Sequence, residues 1–308
     1  MSVQTAEQLA WEAENRVRAG AAAIAAAVLT LGAALSSALV FRDIPRSGFV
    51  DSLEHAAQPG RLGGMQSLRV PLYEFYDDHA AAIIGSSVAR ALGFLAIGVS
   101  LTYLGRATAA RRAELPRPAL YLPWVGAVVL ALQALLSAFG TNAAVHEFLD
   151  GQRTVDAARD LTGNGLLVLG SILDLAGRLA LGAAFVLVCL NAMRAGLLTR
   201  FMGVLGIIVG ALLVIPLGSP LPIVQVFWLL ALGALILGYW PSGVPQAWRS
   251  GEAVPWPSSQ EIREARRAEM ERRRGAPPRR EPEPEEPVEV PAGREHPSSK
   301  KKKRKRRH

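Results

Sequence analysis

Cysteine is all but missing: Cys189 is the only one among 308 residues, which excludes an intrachain disulfide framework, a dithiol redox pair and a CxxC metal knuckle. Charge is scarce as well, at 19% of residues, and aromatics make up 6%, although half of the chain is hydrophobic. A soluble domain has about a quarter of its residues charged, so this Ala, Leu, Val and Gly-rich chain has the composition of a membrane protein. No GxSxG elbow, HExxH pair, P-loop or GxGxxG unit stands in a supporting strand and helix context. Nothing therefore argues for hydrolase, ATPase or nucleotide chemistry, and no enzyme, catalytic residue or cofactor is expected.

The charge that exists is unevenly placed. Residues 1–240 carry 16 Arg against 15 acids, while residues 241–308 carry 18 Lys or Arg against 11 Glu, so the basic excess belongs to the tail. A hydrocarbon core about 30 Å thick needs about 20 apolar residues in helix. Six segments approach this, at 19–41, 82–104, 119–140, 165–190, 201–217 and 222–240. The expected fold is an all-α, six-helix transmembrane bundle with a largely disordered, basic C-terminal tail. Pro216, Pro220 and Pro222 interrupt the last apolar stretch, so its halves are expected as a tight hairpin rather than one long helix. The first span reads as a retained anchor, because its leader contains Glu7, Glu12 and Glu14, and its apolar run exceeds a signal-peptide core.

Arginines in short connections set the expected orientation. With the N-terminus inside, Arg16, Arg18, Arg106, Arg111, Arg112, Arg117, Arg194 and Arg200 all fall on the cytoplasmic side. Loops 42–81 and 142–164 then lie outside with more acids than arginines, six against four and four against two. Both termini are expected in the cytoplasm of a bacterial cell whose inner membrane holds the bundle.

Three ionisable residues fall within the spans: Arg90 in the second, Asp174 and Arg178 in the fourth. Each mid-helix charge costs about 2.5–3.5 kcal/mol on the insertion scale, so the fourth helix is near break-even unless its charges are paired in a bundle. Asp174 and Arg178 are four apart and share a face with small residues. Ser86, Ser87, Arg90 and Gly93 form a second small, polar stripe. The two stripes are expected to face each other, uniting Arg90, Asp174 and Arg178 in one cluster. Such a cluster either fixes helix register or, having one positive charge in surplus, attracts an anionic group or gates a polar path as in a small transporter or channel.

Outer loops hold His55, His79 and His146 with several acids, but no metal-ligand spacing, and an ordinary solvated loop is preferred over a metal site. Leu72 to Asp78 mixes aromatics and acids and is expected to pack on the bundle. Gly203, Gly206 and Gly210 make a groove for close helix approach, within the chain by default and between two copies as the alternative homo-oligomer. After Pro241, a Pro and Trp-rich juxtamembrane segment at 241–257 suits the headgroup layer. Ser258 and Glu261 form a capping box for a charged helix at 258–275, and 276–308 is too polar to fold alone. The tail ends in Lys300, Lys301, Lys302, Lys303, Arg304, Lys305, Arg306 and Arg307, a run suited to anionic lipid headgroups or a cytoplasmic protein partner. Nucleic acid is disfavoured, as no aromatic is interleaved for stacking.

The run from Asn191 through Arg200 to Gly206, with the tryptophan-containing segment after the sixth span, resembles a feature of uncharacterised multi-pass membrane proteins of actinobacteria. That resemblance implies a membrane-embedded helical fold and transfers no activity, ligand or site residue.

Overall fold

A computed structural model describes residues 3–46, 64–112, 114–162, 165–215, 222–241, 243–256, 263–264 and 266–270. Among them the chain is all-helical. Helix α1 (Val3–Val40) runs into a 3-10 turn at Phe41–Asp43, and α2 (Val70–Asp78) is followed directly by α3 (Ala80–Arg111). Then come α4 (Pro118–Asp150), α5 (Val155–Thr162), α6 (Gly165–Arg194), α7 (Arg200–Val214), α8 (Ile223–Leu237) and the short α9 (Gln246–Ser250). Four helices, α1, α3, α4 and α6, are long and apolar enough to cross a membrane. The apolar helices α7 and α8 have 15 residues each, about 22 Å at the helical rise and so short of a 30 Å hydrocarbon core.

Local chemistry accounts for the ends. Pro118 stands in the first turn of α4, where a missing N–H costs nothing. The Thr199 hydroxyl caps α7 by accepting from Met202 N at 3.2 Å. Between α6 and α7, Gly196 adopts φ +78°, and the Val254 carbonyl lies where its Cβ would stand, so only glycine fits. Pro123, inside α4, leaves the Ala119 carbonyl without its helical donor. Gly105 of α3 comes up against that carbonyl.

The long helices form a ring. α1 packs on α3 and α8, α4 on α3 and α6, and α7 on α6. One continuous core fills the centre, with Ile97 and Leu101 from α3, Leu181 and Phe185 from α6, and Trp228 and Leu232 from α8. The chain start and α9 mark one end, called the terminal end; the opposite, loop end carries α2 and α5. There α2 packs on α4 through Tyr73 and Phe148, ring centroids 4.5 Å apart, in a small cluster with Val70 and Ala158.

The glycine groove of α7 is filled from within. Gly206 abuts Cys189 and Trp228, and Gly210 lies against the Gly182 backbone and Phe185, the packing within the chain that was expected by default. The indole N–H of Trp228 donates to Met202 O at 2.9 Å, tying α8 to α7. Residues 216–221, where the hairpin turn was expected, lie outside the described residues.

The chain divides after Trp256. In the second unit, residues 263–264 and 266–270 are helical and exposed, within the charged helix expected at 258–275. The remainder of that helix, the segment expected to be disordered and the polybasic run lie outside the described residues.

A Cβ on Gly126 would come within 2.5 Å of the Leu181 backbone, and on Gly210 within 2.7 Å of the Gly182 carbonyl, while Gly85 has nothing within 4 Å. Gly126→Ala and Gly210→Ala each lower stability by about 1–3 kcal/mol through overpacking; Gly85→Ala is neutral or slightly stabilising. Unfolding midpoints in a mild detergent titrated with dodecyl sulfate check the contrast.

Candidate functional site: a cavity lined by two arginines

Arg90 comes ten residues into α3 and Arg178 thirteen into α6, both in the loop-end half. Among the described residues α7 ends near Gly182 of α6, against which Val214, its last residue, packs. Beyond that level α6 continues for more than two turns, and a cavity of about 470 Å³ opens between α1, α3, α6 and the facing ends of α7 and α8. Its polar lining is Arg90, Arg178, Ser37, Thr30 and Gln225; Phe41, Phe94 and Leu213 supply apolar walls.

The Arg178 Nε donates to Asp174 Oδ2 at 2.7 Å, the pairing expected from their spacing. Arg90 takes a different partner from the one expected. Its Nη2 donates to Ser37 Oγ of α1 at 3.3 Å, and it shares the cavity, not the carboxylate, with Arg178. The reason is the packing of the small stripes: Gly93 meets Thr30 of α1, whereas Gly170 and Gly177 meet Ser137 and Leu130 of α4. Each stripe is therefore spent on its own neighbour, and the two arginines reach one space from different walls. The pair is only partly buried, with Arg178 at 37% and Asp174 at 32% side-chain exposure. Among the described residues, two guanidiniums against one carboxylate leave the cavity with a net positive charge.

A second polar centre, at the terminal end, escaped the sequence reading. Arg111 and Glu12 form a bidentate pair at 2.5 and 3.0 Å, their side chains 0% and 5% exposed. Arg111 also donates to Ala107 O at 2.8 Å and to Ala247 O of α9 at 3.0 Å, and its guanidinium lies 5.6 Å from the Trp248 ring centroid. Tyr103 is stacked between Trp11 and Trp248 and donates to Glu12 O at 3.1 Å. Trp248 and Trp256 in turn donate to Leu197 O and Leu198 O, so the segment expected along the headgroups is stitched to the α6–α7 turn. Glu12 had been read only as a leader charge and Arg111 only as an orientation signal. Their signal was positional: Tyr103, Ala107 and Arg111 recur every four residues on one face of α3.

At the loop end His146 Nδ1 lies 3.4 Å from Asp77 Oδ1 and Arg153 pairs with Glu74. Partial burial raises the Tyr76 phenol above its ordinary pKa, with Tyr73 adding to the shift. Among the described residues no group of three His, Cys, Asp or Glu comes together to hold a metal; His55 lies outside them.

The fold and these centres define a helical protein with four membrane-length apolar helices. No protein-family model, curated protein or solved structure matches the chain.

Removing one partner of the buried pair leaves the other charge stranded. Arg111→Met destabilises the bundle by about 3–5 kcal/mol, and adding Glu12→Leu restores part of that loss. A double-mutant cycle on detergent-solubilised protein measures the coupling; additive effects would show that the pair contributes nothing specific.

Proposed function

We propose that the chain is a six-helix protein of a bacterial cell membrane, both termini cytoplasmic, that binds an anionic ligand in its loop-end cavity without performing catalysis. The observation that carries this reading is that Arg90 and Arg178, from separate helices, line one cavity in which Asp174 offsets a single charge. Charge in a bilayer is costly, and its retention marks a binding or transport role. The apolar side, with Phe41, Phe94 and Leu213, suits an anion with a hydrocarbon portion. Six spans require α7 and α8 to cross as a shortened pair, and a basic terminal end agrees with the positive-inside bias. In this reading the polybasic run at 300–307 adds attraction to anionic headgroups, about 1 kcal/mol per charge near the surface.

A second reading, a transporter, is favoured by one feature. The ionisable residues Arg90 and Arg178 border the cavity between membrane-length helices, and intramembrane charge beside a cavity is a feature of substrate and ion pathways.

Decanoate is a fitting probe, compared with decyl maltoside as its neutral counterpart. Decanoate raises the melting temperature of the purified protein in proportion to occupancy. Arg90→Gln and Arg178→Gln each weaken the apparent affinity about tenfold, the cost of a lost charge-assisted hydrogen bond. An undiminished response in the Arg90→Gln, Arg178→Gln double variant rejects the cavity as the binding site.

A further inference from the structure

At the terminal end, on the outer side of the ring, α1, α3 and α4 enclose a cleft of about 300 Å³ that the proposed function does not use. Trp11, Asn15 and Arg18 line it from α1, Thr102 and Arg106 from α3, and Trp124 from α4. Two features call for a ligand. Arg18 and Arg106 are both exposed, and among the described residues no carboxylate lies within ion-pair distance of either. Arg106 only caps the Trp11 ring, 5.7 Å from its centroid. Glu14, four residues before Arg18 and the acid best spaced to neutralise it, does not close on it. Second, Thr102 is nine-tenths buried, and its hydroxyl is a buried group with no hydrogen-bond partner among the described residues. An orphaned buried hydroxyl costs about 1–3 kcal/mol, and native structures resolve such a cost with a partner.

The geometry points to the phosphate of an anionic phospholipid as that partner. We propose that Arg18 and Arg106 hold the phosphodiester, that the Thr102 hydroxyl donates to it, and that Trp124 lies beside the glycerol. The choice of a lipid over a free phosphate rests on what adjoins the cleft. From Trp124 the exposed face of α4 continues at four-residue intervals through Val128 and Leu132, 48% and 49% exposed, the surface that an acyl chain covers in a bilayer. An indole at the level of two arginines is also the usual arrangement at a headgroup layer. The site is remote from Arg90 and Arg178 and does not depend on what the loop-end cavity binds.

The test uses the full chain in nanodiscs of phosphatidylcholine with a minor fraction of phosphatidylglycerol, with co-purified lipid counted by native mass spectrometry. Wild type retains phosphatidylglycerol over phosphatidylcholine. In a full-length background with residues 300–307 changed to Gln and with Arg90→Gln and Arg178→Gln, so that neither the tail nor the loop-end cavity contributes, Arg18→Gln with Arg106→Gln reduces that preference about tenfold, as expected for two lost charge-assisted contacts. Thr102→Val, which keeps the side-chain volume and so the packing, reduces it by a smaller factor. Arg194→Gln removes an exposed charge near the α6–α7 turn and leaves the preference unchanged. Equal loss in Arg194→Gln would reduce the effect to unspecific surface charge and overturn the site, as would an unchanged preference in the double variant. If glycerol phosphate displaces the retained lipid at equal concentration, the ligand is a free phosphate and the lipid assignment fails.

Discussion

Arg111 uses its guanidinium entirely inside the protein. Two of its contacts go to the Glu12 carboxylate, one to the carbonyl a turn earlier in its own helix and one to the carbonyl of Ala247. A charge held this way replaces its hydration shell with fixed partners, the condition under which burial is tolerable. The consequence is architectural, because those partners lie on α1, α3 and α9. The start of the chain, the second long helix and the segment after α8 are joined at one point. Trp11, Tyr103 and Trp248 stack beside it.

The ring of helices was legible in the sequence where apolar runs were long. The starts of α3, α4, α6, α7 and α8 fall within two residues of the expected spans, because hydropathy alone dictates where backbone must be helical in lipid. The overshoots were not legible. α1 begins sixteen residues before the expected span and α4 ends ten residues after it, since their polar turns are stabilised by neighbours, not by lipid. Asp174 and Arg178 pair as their spacing implied; Arg90 reaches Ser37 instead, because side-chain pairing between helices depends on rotation angles that a single sequence does not encode. Glu12 and Arg111 were hidden for the same reason, 99 residues apart and each plausible as a solvated charge.

The two ends of the bundle solve the problem of charge in opposite ways. At the terminal end the buried ion pair is matched charge for charge and has its hydrogen bonds filled from within. At the loop end Arg90 and Arg178 outnumber Asp174, are partly exposed and adjoin empty volume. Balanced, fully bonded charges hold helices together; unbalanced charges beside a cavity are available to something else. That contrast separates the Glu12–Arg111 centre, which joins helices, from the Arg90–Arg178 cavity, whose charge is not matched among the described residues.

Cys189 is fully buried where α6 meets Gly206 of α7. The protein thus carries its own chemical stopwatch: a maleimide in the surrounding medium reaches that sulfur only while the two helices are parted, so labelling speed measures how often the bundle breathes. No second thiol competes for the reagent, and the native chain needs no engineering for the experiment.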